Sequence, residues 1–263
     1  MKTSVRRLAL AAACLTTMLA PRADAQGRPG SNRQVVVSAA ISLTEVLQQL
    51  APMYQAKTGD RVVLNFGASN TLARQISFGA GVDLFISADE AQMNAIAAQI
   101  DSAGRVDLLS NQLAIAVPDD RPRTLASARD LVDPAIKRIA IGDPSAVPAG
   151  VYAKQYLETL GIWPDLASKV VPAGSVRLAL TAVESGAVDA AIVYHTDLST
   201  SEHAREALIV PFAEGPRIVY PAAVVRAGKN QEGGRRLLAF LRTPEAIAVF
   251  TRAGFIAPVA ARN

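Results

Sequence analysis

Apolar and polar residues follow two different spacings along this chain, and the two spacings alternate. Residues 34–39 and Leu113–Pro118 are short apolar runs rich in β-branched residues, which is typical of buried strands. Residues 43–57 instead carry apolar side chains at helical spacing, and Gly59 follows as a stop signal. Strands and helices in alternation predict an α/β architecture with mostly parallel sheets.

The same criteria place the remaining elements. Further strands are predicted at 61–66, 82–87, 138–141, 187–194 and 218–225. Further helices are predicted at 71–78, 88–99, 150–160, 176–185, 233–241 and 244–253. No long or low-complexity linker divides the chain, and residues 118–122 come nearest to a boundary in composition.

A short internal similarity suggests that two parts of the chain are built alike. Ser69 begins a predicted helix, and Asp83 follows 14 positions later, before an apolar strand. Ser175 and Asp189 repeat this arrangement at the same separation. The repeat fits two lobes that each place a helix N-terminus at a shared cleft.

The N-terminus has the pattern of an export signal. Lys2, Arg6 and Arg7 precede an apolar run over residues 8–20, and small residues around Ala25 form a cleavage site. The apolar run is short for a bilayer span, which needs about 20 apolar residues. We therefore expect residues 1–25 to be a signal peptide, removed near Ala25, and the mature protein to be periplasmic.

Cys14 is the single cysteine, and it lies inside this signal. A lipid-modified Cys14 is an alternative, but the apolar run continues beyond it and a better cleavage site follows. Cleavage near Ala25 would leave no cysteine. Disulfides, cysteine metal sites and thiol nucleophiles would then be excluded together.

The formal net charge of +4 depends largely on the signal. Removing its four basic residues and one acidic residue leaves 23 basic and 22 acidic residues, a net charge of +1. The chain has no basic run, and aromatic residues make up 5% of it. Nucleic-acid recognition favours basic clusters with stacking rings, so we expect no nucleic-acid partner.

Residues suited to catalysis are sparse. His195 and His203 are the only histidines, which gives little support to a metal site or a histidine-based triad. Glu184 and Asp189 could form a carboxylate pair, but a solvated helix end and a residue at a strand start explain them more simply. An exported hydrolase therefore lacks a convincing nucleophile and base.

Four predicted helices begin with small or hydroxyl-bearing residues and no charge, at 40–42, 67–71, 147–150 and 174–176. A helix N-terminus exposes unpaired N–H groups and a partial positive charge, so it can bind an anion. Three of these starts also have an ordinary explanation, with Ser42 and Ser69 as helix caps and Pro148 as a usual first residue. Tyr194, which ends a predicted strand, is more often a core or rim tyrosine. Together the starts indicate an anion cleft, without showing which oxyanion it binds.

Several of these segments resemble the periplasmic molybdate-binding proteins of ABC transporters. The resemblance covers nearly all of residues 35–255, and FGASNTLARQI from Phe66 and VPAGVYAK from Val147 are its most specific parts. One departure is the sequence before Ser69, where many relatives carry a longer serine run. The other matching pieces are SAAISLTEVLQQL, DLFISAD, VRLALTAVESGAVDAAIVY, YPAAVV and LLAFLRTPEAIAVFTRAGF.

The resemblance implies a type II periplasmic-binding-protein fold with a ligand cleft between two lobes. The first lobe would comprise residues 26–112 plus 222–263, and the second would comprise residues 113–221. The implied ligand is molybdate or tungstate, bound as an oxyanion, with no cofactor and no metal ion coordinated directly. The implied partner is the membrane permease of an ABC transporter, and we expect a monomer that is not an enzyme.

The resemblance also implies a set of ligand-binding residues. The family's two hydroxyl ligands fall on Ser42 and Ser69, and its backbone N–H donors in the second lobe fall on Ala149 and Val176. The family's tyrosine hydroxyl falls on Tyr194. Three alternatives remain open: a binding protein for another oxyanion such as sulfate, an exported hydrolase, and an interaction module without a small ligand.

Overall fold

Two five-stranded sheets organise the chain in the computed structural model, which describes residues 33–257. The strands are β1 (Gln34–Ala40), β2 (Arg61–Gly67), β3 (Leu84–Ile86), β4 (Val106–Leu109), β5 (Leu113–Pro118), β6 (Ile139–Gly142), β7 (Val170–Ala173), β8 (Ala190–Tyr194), β9 (Ala204–Ile209) and β10 (Tyr220–Val224). The helices are α1 (Thr44–Thr58), α2 (Ser69–Ser77), α3 (Glu90–Ala95), α4 (Pro148–Thr159), α5 (Trp163–Leu166), α6 (Val176–Glu184), α7 (His195–Leu198), α8 (Gln231–Leu241) and α9 (Pro244–Arg252).

The two sheets follow the same plan. The first has the strand order β2-β1-β3-β10-β4, and the second has the order β7-β6-β8-β5-β9. The second sheet is built from the consecutive strands β5–β9, whereas the first combines β1–β4 with β10, which follows β9 in the chain. The expected two-lobed α/β fold is confirmed, whereas the lobe boundaries at residues 112 and 222 stay a prediction.

The expectation of mostly parallel sheets is wrong. Of the eight strand pairings in the described part of the chain, four are parallel and four are antiparallel. Every antiparallel pairing involves β5 or β10. These two strands run opposite to both of their neighbours, and a buried apolar run has the same appearance in either direction.

The sequence pattern missed three strands, β4, β7 and β9, and each lies at the edge of its sheet. Edge strands bury less of their surface. Arg205 and Glu206 of β9 are exposed, for example, as are Val171 and Pro172 of β7. Their hydrophobic signal is correspondingly weak.

The internal similarity corresponds to equivalent positions in the two lobes. The Asp83 carboxylate, just before β3, accepts hydrogen bonds from the backbone N–H groups of Val36 at 2.8 Å and Asn230 at 2.7 Å. The Asp189 carboxylate, just before β8, accepts from Lys137 at 2.8 Å and Arg138 at 2.9 Å. Each aspartate therefore ties the start of one strand to its parallel neighbour, Asp83 to β1 itself and Asp189 to the segment that leads into β6.

The signal peptide predicted at residues 1–25, with Cys14 and the cleavage site near Ala25, lies outside the described residues. Between residues 33 and 257, the structure contains no helix long and apolar enough to cross a bilayer.

Candidate anion-binding site

A small cleft lies where helix starts from both lobes meet. From the first lobe it receives the turn Ile41–Leu43 before α1 and the start of α2, and from the second lobe the starts of α4 and α6. None of its lining side chains is ionisable. The lining residues are Ala40, Ile41, Ser42, Gly67, Ala68, Ser69, Ala88, Val147, Pro148, Ala149 and Val176.

The two serines in the first lobe are not helix caps, so that simpler interpretation is wrong. Ser69 is the first residue of α2, whose cap position is occupied by Ala68 without a side-chain hydrogen bond. The Ser69 Oγ instead accepts the backbone N–H of Ala88 at 2.9 Å. Ser42 lies within the turn Ile41–Leu43, and its Oγ lies 2.9 Å from the hydroxyl of Tyr220. Both serines are buried.

In the second lobe, small residues let the start of α4 approach the sheet. Ala149 is buried within the first turn, and no side chain caps the helix. Gly150 lies so close to β6 that a Cβ there would be 1.8 Å from the carbonyl oxygen of Gly142. A larger residue at Gly150 would therefore push the helix start, and Ala149 with it, away from its position.

Val176 is the first residue of α6 and is also buried. The preceding Ser175 is a true helix cap, since its hydroxyl accepts the backbone N–H of Leu178 at 3.2 Å. The Ser175 hydroxyl therefore bonds the N–H of Leu178 and not that of Val176. Four of the five predicted site residues, namely Ser42, Ser69, Ala149 and Val176, therefore line one cleft.

Tyr194 is not among the residues that line the cleft. It ends β8, only 1% of it is exposed, and its ring centroid lies 5.9 Å from that of Tyr220. Its hydroxyl is buried and has no hydrogen-bond partner within the described residues. Burial raises the pKa of Tyr194 well above its usual value, so this hydroxyl keeps its proton and has it available for a partner that the described chain does not supply.

Comparison with known proteins identifies the family. Residues 35–256 match the model of the bacterial extracellular solute-binding protein family. The chain belongs to this family. The resemblance drawn from the sequence motifs is thereby confirmed.

Relatives of this solute-binding protein include proteins named for molybdate. It is 38% identical over 230 residues to the molybdate-binding protein ModA of Escherichia coli, covering 84% of this chain and 88% of that protein. It is 30% identical over 236 residues to ModA of Haemophilus influenzae, covering 86% and 91% of the two chains. The structure of the Azotobacter vinelandii periplasmic molybdate-binding protein aligns with a TM-score of 0.76 at 24% identity, covering 86% of this chain and all of that one.

An ion-pair network joins the lobes of the solute-binding protein next to Val176. The guanidinium of Arg177 in α6 reaches both carboxylate oxygens of Glu45 in α1, at 2.8 and 2.6 Å. It also donates to the buried carboxylate of Asp197 at 2.6 Å. Burial raises the pKa of Asp197 to about 6, although the neighbouring Arg177 lowers it in part. The charges thus lie beside the cleft and not in its wall.

Sequence reasoning missed several residues at the site. Ala88 lines the cleft and orients Ser69, while Tyr220 and Asn111 lie behind Ser42. Ala88 directly follows a buried strand, a signal that could have found it. No local pattern marks Tyr220 or Asn111, because their role depends on contacts between distant parts of the chain. Residues 33–257 contain no group of three or more His, Cys, Asp or Glu residues arranged to hold a metal ion.

Proposed function

We propose that this solute-binding protein traps molybdate, or the similarly sized tungstate, as a tetrahedral dianion in the cleft. The observation that carries the proposal is the convergence of buried helix starts from both lobes, three of them without a side-chain cap. Buried N–H groups without partners are costly, so such starts need an acceptor. The 38% identity to a molybdate-binding protein indicates which acceptor it is.

The cleft would hold the anion with hydrogen-bond donors and no cationic side chain. Ser42, Ser69 and Tyr194 would donate hydroxyl protons, while Ala149 and Val176 would donate backbone N–H groups. A buried charge is tolerated only when its atoms are hydrogen-bonded. Each bond to a charged group contributes about 1.5–3 kcal/mol, so several of them suffice for tight binding.

The position of the cleft suggests how the bound anion is delivered. Donors from both lobes can reach one anion only when the lobes approach, as in hinge closure around a ligand. We propose that the mature monomer, released by cleavage near Ala25, works in the periplasm and presents this closed form to the membrane permease of an ABC transporter. We expect binding without catalytic turnover, with no cofactor, no directly coordinated metal ion and no nucleic-acid partner.

A panel of oxyanions tests the proposal on the purified mature protein. Molybdate and tungstate should raise the unfolding temperature more than sulfate or phosphate at the same concentration, because a ligand that binds the folded state stabilises it by mass action. A larger effect of sulfate would favour a sulfate-binding protein instead. No effect of any oxyanion would contradict the proposal.

Replacing Ser69 with Ala tests the site itself. The variant should bind molybdate about 1–3 kcal/mol more weakly, since a buried charged acceptor loses one donor. Ser77→Ala is a matched control, because Ser77 ends the same helix and bonds the Arg74 carbonyl away from the cleft. Calorimetry that shows equal molybdate affinity in the two variants would remove Ser69 from the site.

A further inference from the structure

A chain of buried hydrogen bonds runs from the cleft wall into the connections between the lobes. The Ser42 Oγ lies 2.9 Å from the Tyr220 hydroxyl, and the side-chain nitrogen of Asn111 lies 3.2 Å from that same hydroxyl. Tyr220 begins β10, and Asn111 lies between β4 and β5. Both residues are fully buried, on the two segments where the chain passes between the lobes.

The direction of these hydrogen bonds is determined by the Asn111 amide. Its oxygen accepts the backbone N–H of Gln112 at 2.9 Å, so its nitrogen faces Tyr220 and Thr196. An amide nitrogen can donate but cannot accept. Burial raises the pKa of Tyr220 far above its usual value, so the hydroxyl keeps its proton. Tyr220 therefore accepts from Asn111 and has Ser42 as the acceptor for its own proton.

This direction leaves the proton of Ser42 free for the cleft. The oxygen of Ser42 receives the Tyr220 proton, just as the oxygen of Ser69 receives the Ala88 N–H at 2.9 Å. We propose that Asn111 and Tyr220 form a relay that holds the Ser42 hydroxyl as a hydrogen-bond donor toward the anion. The relay rests on the proposed function, and it adds two positioning residues that do not touch the ligand.

The relay also has a consequence for specificity. With one donor already directed at each serine oxygen, both serine hydroxyls present their protons to the cleft and are poorer acceptors for a further proton. An oxyanion that carries its own O–H, such as hydrogenphosphate, would bury that proton without a partner, which is costly. Sulfate and molybdate carry no such proton. The relay therefore discriminates by protonation state, independently of anion size.

Replacing Tyr220 with Phe tests the relay. The ring and its contacts with Tyr194 and Phe255 are retained, and only the hydroxyl is lost. Without the incoming proton, Ser42 can rotate and accept. We expect molybdate affinity to fall about three- to tenfold through lost preorganisation. At mildly alkaline pH, the affinity ratio of sulfate to hydrogenphosphate should fall at least about threefold, since Ser42 can now accept the phosphate proton.

Sulfate and hydrogenphosphate are dianions of similar size, so their ratio isolates the extra proton. The affinities come from ligand-dependent shifts of the unfolding free energy, which report weak and tight binding alike. Tyr54→Phe is the matched control, because it removes another buried tyrosine hydroxyl in the same lobe, bonded to Asp60 and remote from the cleft. We expect the affinity ratio of sulfate to hydrogenphosphate in Tyr54→Phe to equal that of the wild type.

Proportional weakening of sulfate and hydrogenphosphate in Tyr220→Phe would show a purely structural role and overturn the relay. If Tyr220→Phe does not fold, the affinity ratio of sulfate to hydrogenphosphate in Asn111→Asp provides the same test. The new carboxylate keeps one oxygen as the acceptor for the Gln112 N–H and presents its second oxygen to Tyr220. The Tyr220 hydroxyl then donates to this carboxylate and no longer to Ser42, so the Ser42 oxygen becomes free to accept. Failure of the wild type to bind molybdate would contradict the proposed function itself, whereas an unchanged ratio in both variants with normal wild-type binding contradicts the relay alone.

Discussion

At the scale of single residues, partnerless polar groups are the most informative feature of the site. Polar side chains buried in proteins nearly always have hydrogen-bond partners, so the lone hydroxyl of Tyr194 calls for an explanation. An anion that accepts this proton supplies one. From the sequence alone, Tyr194 was equally compatible with a core tyrosine valued for its ring.

Replacing Tyr194 with Phe separates these two explanations. If the hydroxyl donates to the ligand, molybdate affinity should fall by roughly tenfold or more, since each 1.4 kcal/mol is a factor of ten. Most of the loss should appear as faster release, measured by exchange of radiolabelled molybdate. The stability of the unliganded protein should hold, because no hydrogen bond within the described chain is broken.

Tyr54→Phe provides the opposite case. Its hydroxyl is bonded to Asp60 at 3.2 Å, so this variant should lose stability and keep its molybdate affinity. Unchanged affinity and release rate in Tyr194→Phe would take Tyr194 out of the site. The cleft would then rely on the two serines and the backbone donors.

At the scale of helices, the cleft depends more on where each helix begins than on the rest of that helix. The starts of α2 and α4 are buried and lack side-chain caps, while α6 is capped by Ser175 on Leu178. Within α6, the Arg177 side chain is hydrogen-bonded to Asp197 and Thr200 of its own lobe and also reaches Glu45 of α1. This ion pair therefore connects two of the helices that form the cleft.

We expect the pair between Arg177 and Glu45 to slow the opening of the lobes. Glu45→Gln should speed molybdate release by about two- to fivefold, a modest effect because Glu45 is half-exposed and exposed ion pairs contribute about 0.2–1 kcal/mol. High salt should speed release from the wild type and have less effect on the variant. Release rates at two salt concentrations test both expectations.

A second pair provides the control. Arg217 also approaches Glu90 of the first lobe, at 3.0 Å, but its side chain is 72% exposed. Arg217→Gln should leave the release rate nearly unchanged. Equal acceleration in Glu45→Gln and Arg217→Gln would mean that general surface charge, and not the pair beside α6, governs opening.

At the scale of the whole molecule, the sequence predicted most of the core strands and helices and four residues that meet in the cleft. It missed three of the four edge strands and the direction of β5 and β10, because neither is encoded in local hydrophobic spacing. The contacts of Ser42 with Tyr220 and of Glu45 with Arg177 span 178 and 132 positions of the chain. Such contacts follow from the arrangement of the lobes, which no local pattern describes.

The buried carboxyl of Asp197 should make stability depend on pH. Its pKa in the folded protein is about 6, against about 3.9 for an unfolded aspartate, so the folded state binds the proton more tightly. The stabilisation by this proton is complete below about pH 4, is lost as the pH rises through 6, and changes no further above that. The difference in unfolding free energy between the wild type and Asp197→Asn should therefore fall by on the order of 2–3 kcal/mol from pH 4 to pH 7.

Urea denaturation of both unliganded proteins measures this difference, and the variant removes the contributions of all other groups. A difference that rises with pH would mean that Arg177 lowers the pKa of Asp197 more than burial raises it. We expect molybdate affinity itself to stay constant between about pH 7 and 9, since the cleft has no ionisable lining side chain other than hydroxyls.

The position of β10 in the first sheet determines the order in which the two sheets can form. β4 joins the first sheet only through β10, so residues 106–109 have no neighbour in that sheet until residues 220–224 have been synthesised. The second sheet, in contrast, consists of the consecutive strands β5–β9 and needs no strand from outside residues 113–209. Completion of the first sheet thus depends on pairing between distant parts of the chain, and long-range pairing of this kind slows folding. We therefore expect the second sheet to form before the first is complete, although the first sheet begins earlier in the chain.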